Sequence, residues 1–329
     1  MIDVGGARNP DSRVDNAAAA NDNVGRLPSL CELTCSLYLM RIRIRHQTTY
    51  HYDVPPSGVI QILRLTPRNH EGQYVVDWRI DITADSRLSC HEDAFGNIVH
   101  TFTADGPVSE ISIQVEGGVE TQDTSGIIRG GVERFPPGLF LRETALTAPD
   151  AAIRQFARTL QEAAGCTPDG GVLKLLHVLL DRLHTDPGGA NGPSGLTPKS
   201  APAATAAEAF ACGGRQSQDL AHIFIAAARS LGIPARYVAG YFHDPGDLAD
   251  HDTGHAWTEA FVPDLGWVGF DPAVGMCPTD THVRVAVGLD YQSAAPVRAS
   301  RYGGGSEARR VAISVANRLQ ADQQQAAQE

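Results

Sequence analysis

The segment 217–231 can be stable only if the rest of the chain encloses it. Leu220, Ile223, Phe224, Ala227 and Leu231 recur at the spacing of a helical stripe, and Ala221, Ala226 and Ala228 put small apolar side chains on the other faces. A helix apolar on nearly every side is a central one, so the fold must be built around it. Gly232 ends the pattern and Pro234 prevents its resumption. Strand-like segments follow at 235–241, 255–262 and 266–271. The turn Pro263-Asp264-Leu265-Gly266 joins the last two into an antiparallel hairpin.

Upstream the pattern changes twice. Between residues 149 and 184 the spacing is helical: Ala152, Phe156 and Leu160 repeat near every fourth position, and Leu173, Leu176, Leu179, Leu180 and Leu183 form a stripe. A Gly-, Pro- and Ser-rich loop follows at 185–204. From residue 40 to about 120 the period is two, as in Arg41-Ile42-Arg43-Ile44-Arg45 and Ile111-Ser112-Ile113-Gln114-Val115, with a turn at Asp93-Ala94-Phe95-Gly96-Asn97. Strands of this kind suggest an antiparallel sandwich or open barrel, with the role of packing or presenting substrate. Further strands are expected near 282–288 and 310–316. The expected class is therefore α+β: a polar, disordered extension at 1–39, a β-rich region at 40–125, a core with C-terminal strands at 126–317, and a disordered Gln-rich tail at 318–329.

Charge narrows the partners. With 27 Lys and Arg against 38 Asp and Glu, the net charge of −11 argues against nucleic acid. No apolar run is long enough to span a bilayer, and the N-terminus lacks the basic start of a secretory signal, so the expectation is a cytoplasmic protein without a membrane partner. Six cysteines, at positions 31, 35, 90, 166, 212 and 277, are too scattered for a disulfide scaffold.

Three residues carry candidate chemistry. Ser217 stands where the Gly213-Gly214 turn enters the buried helix, and a helix start favours developing negative charge. His255 opens the hairpin and Asp271 closes it, which gives a nucleophile, a base and an orienting acid. Each also has a plain structural reading, as helix cap, core histidine and turn residue. A tight two-residue turn at Asp264-Leu265 would set Asp271 opposite Thr258, about 10 Å from His255. The pair therefore needs a wider loop or a bulge between Glu259 and Gly269. His243, His251 and His255 lie among Asp244, Asp247, Asp250 and Asp252, but a solvated acidic loop is the simpler reading, and neither a metal nor a cofactor is expected. His222 is expected to be a core residue.

Longer motifs extend this picture. Gln218-Asp219-Leu220-Ala221-His222, Arg229-Ser230-Leu231-Gly232-Ile233-Pro234-Ala235-Arg236-Tyr237-Val238, His255-Ala256-Trp257-Thr258-Glu259 and Gly266-Trp267-Val268-Gly269-Phe270-Asp271-Pro272 together resemble the bacterial transglutaminase-like superfamily, which has a papain-like fold. Upstream, Tyr50-His51-Tyr52, Leu63-Arg64-Leu65-Thr66-Pro67-Arg68 and Asp93-Ala94-Phe95-Gly96-Asn97 resemble its bacterial N-terminal region. His282-Val283-Arg284-Val285-Ala286-Val287-Gly288 and Ala295-Pro296-Val297-Arg298 resemble its C-terminal strands.

The resemblance implies a catalytic His at 255 and Asp at 271, and a nucleophilic Cys just before Gln218-Asp219, where this chain has Ser217. A thiol near pKa 8.5 gives an accessible anion beside a helix start, whereas a hydroxyl needs concerted proton removal. Cys212, five residues upstream in the approach to the helix, and Cys277 lack the helix-start position. Two functions follow as expectations. One is acyl transfer or hydrolysis at an amide of a peptide or protein through Ser217, His255 and Asp271. The alternative is an inactive module that binds peptide or protein. A serine substituted to silence the enzyme is a third, and restoring Cys at 217 would then restore activity.

Overall fold

The computed structural model describes residues 39–165, 171–187, 205–244 and 254–317. The expected extension up to residue 38, the tail from 318 and most of the loop at 185–204 lie outside the described residues, as do Cys31, Cys35, Cys166 and His251.

The α+β class holds. Strands β1 (Met40–Tyr52), β2 (Gly58–Thr66), β3 (Gln73–Ile82), β4 (Ser86–Glu92), β5 (Ile98–Asp105) and β6 (Glu110–Thr121) form most of two antiparallel sheets. The short β7 (Ile127–Ile128) leads to the helices α1 (Ala151–Ala164), α2 (Val172–Thr185), α3 (Ala206–Cys212) and α4 (Ser217–Ser230). Strands β8 (Ala235–Phe242), β9 (His255–Val262), β10 (Gly266–Phe270) and β11 (His282–Gly288) complete a five-stranded sheet in the order β11-β8-β9-β10-β7. The chain then runs through the one-turn α5 (Tyr291–Ala294) into β12 (Val297–Tyr302) and β13 (Glu307–Asn317).

The last two strands, which the sequence groups with the core, join the sheets of the N-terminal strands, while Ile313 of β13 still packs among the helices. β13 pairs with β1 and β12 with β2, giving four-stranded sheets in the orders β13-β1-β6-β3 and β12-β2-β5-β4. The two ends of the described chain thus finish one sandwich.

As its sequence requires, α4 is enclosed: every residue from Asp219 to Arg229 is buried, against α1, α2 and α3 on one side and β8 and β9 on the other. In α1 the buried face is Ile153, Ala157 and Ala164 with Phe156 and Leu160 half-covered, while Ala152 is exposed. The even-numbered face of β1 serves two cores. Ile42 and Ile44 pack with the helices, whereas Tyr50 and Tyr52 join Leu63, Phe102 and Ile113 inside the sandwich. His46 and Thr48 fall at the seam.

Two side-chain amides bind the sandwich to β11. Gln73 accepts from the Arg284 N–H at 2.8 Å and donates to the Arg284 carbonyl at 2.9 Å. Asn97 makes the same pair of bonds with Val287, each at 2.8 Å. Both amides thus act as one more rung of strand pairing and satisfy the backbone groups of Arg284 and Val287. Asn97 is held by Asp93, which also accepts from the Phe95 N–H and pairs with Arg64 at 2.9 Å. Of Gly96 and Asn97, only the glycine takes positive φ, at 83°.

Candidate active site

The hairpin register decides whether the site exists. β9 and β10 pair from Val262–Gly266 to Thr258–Phe270 without a bulge. The adjustment lies in the loop, which is three residues long rather than two. Pro263 and Asp264 form the centre of a type II turn closed by the Leu265 N–H on the Val262 carbonyl at 3.2 Å, with Asp264 at φ 66°. One extra loop residue shifts every pairing by one and moves Asp271 to the opposite face of the sheet. Continued past Phe270, that register sets Asp271 across from Trp257, diagonal to His255 on the same face and within side-chain reach.

Asp271 is wholly buried and firmly held. Its backbone N–H donates to the Met276 carbonyl, and its own carbonyl accepts from Gly275 and Met276. Its Oδ1 accepts from the Ala273 N–H at 3.0 Å, while Oδ2 accepts from His255 Nε2 in a short contact and from His282 Nε2 at 3.2 Å. Burial alone would raise the carboxyl pKa. The charge and hydrogen bond of His255, joined by His282, outweigh it and bring the pKa to about 2. Asp271 is therefore an anion that orients both imidazoles.

The two rings have different duties. His255 spends Nε2–H on Asp271, so the lone pair of the neutral ring is on Nδ1. His282 is the residue that sequence reasoning left among the C-terminal strands. Its Nδ1 accepts from the Thr279 N–H at 3.2 Å and lies 3.1 Å from the Thr281 hydroxyl, which fixes the proton on Nε2, facing Asp271. Burial lowers its pKa against the pull of Asp271, so it is a neutral donor. Phe242 and Trp257 wall this pair, with ring centroids 4.8 and 5.4 Å from His282.

Three ligand-type atoms of His255, Asp271 and His282 lie within 4.8 Å of one another. The donor set does not suit a metal ion. A ligating His282 Nε2 would have to give up its proton to Nδ1, which would then face the Thr279 N–H with a hydrogen. The His- and Asp-rich segment 243–255, read from sequence as a solvated acidic loop, lies largely outside the described residues. Its His243 is buried, with Nδ1 3.1 Å from the Val315 carbonyl oxygen.

Ser217 is the first residue of α4, and the capping position belongs to Gln216, so the simple helix-cap reading of Ser217 does not apply. Its backbone N–H is one of the donors that a helix leaves unpaired at its start. Ser217 and His255 both line a cavity of about 300 Å³ and an adjoining one of about 160 Å³. No hydrogen bond joins the two side chains in this structure.

Much of the cavity wall comes from the sandwich: His46, Thr48 and Tyr50 of β1 face it beside Arg309, Val311 and Ile313 of β13. Sequence reasoning assigns these residues no part in a site, and only the alternation of β1 hints that His46, Thr48 and Tyr50 share a face. His46 is buried, with Nδ1 2.9 Å from the Tyr241 hydroxyl, and burial lowers its pKa to about 4. His222 is a core residue, as expected, accepting the Tyr291 N–H at 3.1 Å. Cys212 closes the short helix α3 rather than lying in a loop, and it is exposed. Cys277 sits 3.6 Å from His177, and its thiol pKa is raised by burial and by Asp123.

Comparison with known proteins locates the same regions. The description "Bacterial transglutaminase-like N-terminal region" matches residues 42–120, and "Transglutaminase-like superfamily" matches 181–272. The uncharacterised protein ML0607 of Mycobacterium leprae is 27% identical over 283 residues, covering 82% of this chain and 95% of its own. A protein-glutamine gamma-glutamyltransferase of Pseudomonas aeruginosa is 34% identical over 90 residues, 23% of this chain and 13% of that protein. A candidate cysteine protease from Cytophaga hutchinsonii has the same fold, with a TM-score of 0.63, 19% identity and coverage of 85% of this chain and 91% of its own.

Proposed function

We propose, for a chain that belongs to the transglutaminase-like superfamily and carries its bacterial N-terminal region, that it acts on amide bonds of peptides or proteins through Ser217, His255 and Asp271. The observation that carries this reading is the His255–Asp271 hydrogen bond beside the cavity that Ser217 lines. Ser217 Oγ attacks the amide carbonyl while its proton passes to His255 Nδ1, and Asp271 stabilises the imidazolium that forms. The new oxyanion meets the Ser217 N–H at the positive end of α4. Collapse breaks the C–N bond, His255 returns the proton to the leaving amine, and an ester on Ser217 remains. Water or a second amine then takes the acyl group.

A second reading, a peptide-binding module without turnover, is favoured by the missing hydrogen bond between Ser217 and His255. Rates for this chain, Ser217→Cys and Ser217→Ala on a glutamine peptide separate the two, with ammonia release and primary-amine incorporation both followed. The chain is expected to exceed the alanine variant, and the cysteine variant to exceed both, because a thiolate is accessible at this helix start. Equal rates for the chain and Ser217→Ala would leave only the binding module.

A further inference from the structure

The larger cavity is graded along its β1–β13 wall. Register pairs His46 with Ile313, Thr48 with Val311 and Tyr50 with Arg309, and all six side chains face the cavity. Ile313 also lines the adjoining cavity with Ser217 and His255, so that end of the ladder lies at the reacting groups. Arg309 is four residues further along β13, roughly 13 Å away at about 3.3 Å per residue.

The far end is built for an anion. Among the described residues lining this cavity Arg309 is the one permanent charge, and no carboxylate lines it. Arg309 forms no ion pair among the described residues, and Glu307, two positions away, is engaged by Arg301 at 2.7 Å. Beside Arg309, burial brings the Tyr50 hydroxyl to a pKa of about 12 despite the nearby guanidinium, so it stays a donor. At the near end His46 is neutral and hydrogen-bonded at both ring nitrogens, so it does not compete for negative charge.

We infer that Arg309, with the Tyr50 hydroxyl, forms a carboxylate subsite, and that the preferred acyl donor carries an acidic group three to four residues from the attacked amide. The span follows from the ladder, since an extended peptide advances at about the same rise as the strand beside it. A guanidinium fork matches a carboxylate in two parallel hydrogen bonds, and a phenol supplies a third donor. The inference rests on the amide-directed reading for the position of the attacked group. The subsite reads the carboxylate itself, whether a side chain or a free C-terminus supplies it.

Binding tests it without requiring turnover. Fluorescently labelled, alanine-rich nonapeptides with one central glutamine would carry a single glutamate at each position in turn. A further set would end in a free carboxylate or an amide three or four residues after the glutamine. Affinity for the full chain, read by anisotropy, should peak with the acid three or four residues from the glutamine, about tenfold above the glutamine-for-glutamate control. A peak in the glutamate set alone assigns a side-chain carboxylate, and one in the free-acid set assigns a C-terminus. Arg309→Gln should remove the peak, and Arg309→Glu should move it to lysine peptides. Equal affinity for acidic and neutral peptides, a preference that survives Arg309→Gln, or no binding at millimolar concentration would overturn the subsite. An anion preference without turnover would leave it standing while the serine mechanism fell, and turnover without the preference would do the reverse.

Discussion

His282 and His255 donate to one and the same oxygen, Oδ2 of Asp271. His282 therefore shares the charge on which His255 depends, and we treat it as a positioning residue. Replacing it with leucine leaves Oδ2 to His255 alone. His282→Leu should lower kcat/KM about tenfold, the scale of one hydrogen bond to a charged group. It should also move the acid limb of the pH–rate profile upward, because Asp271 then loses one of the donors that lower its pKa. His282→Gln, which keeps an N–H donor, should recover part of both. An unmoved acid limb would reduce His282 to packing.

Behind the site, Glu259 is wholly buried between Arg236 and Arg284, at 2.7 Å from each, and Arg236 also meets Glu133 and stacks on Trp267 at 3.9 Å. Burial opposes the Glu259 charge, yet the two guanidinium groups bring its pKa to about 2. Glu259→Leu takes the carboxylate from the half-buried Arg284 and leaves Arg236 with Glu133 alone, which should cost about 3–5 kcal/mol in urea unfolding. A loss below 1 kcal/mol would show that water reaches the network.

Stability should fall on acidification in two stages. Burial holds His46, His70 and His222 near pKa 4, below the unfolded value of about 6.5. Each stabilises fully above pH 6.5, and that contribution is lost as pH falls toward 4, because the unfolded chain then binds more protons. The depressed carboxyls of Asp271 and Glu259 add a second loss between about pH 4 and 2. Thermal midpoints across pH 7 to 2 check this. A curve flat from 7 to 4 would place these histidines in contact with solvent.

How much of this was legible in sequence depended on how local the cause is. The α4 helix was readable because its apolar residues close on all sides within one segment, and the β9–β10 hairpin because its turn residues lie between two strands. Its register was not readable: Pro263-Asp264 fits a two- or a three-residue loop, and that one residue decides which face Asp271 takes. His282 lies only eleven residues from Asp271 in sequence, but it reaches the carboxylate because β11 pairs with β8, across the sheet from β10. Arg309 meets the cavity through pairing of the last strand with the first. Long-range pairings of this kind leave no periodic trace in either partner.

The claim that Ser217 is an activated nucleophile has a direct test. An alkyl fluorophosphonate phosphonylates an activated serine hydroxyl with loss of fluoride, and peptide mapping by mass spectrometry locates the adduct. An adduct is expected on Ser217 of the full chain, with none in Ser217→Ala and strong suppression in His255→Ala and Asp271→Asn. An unmodified Ser217 under conditions that label an active serine hydrolase, or labelling of Ser217 that is unchanged in His255→Ala, would contradict it.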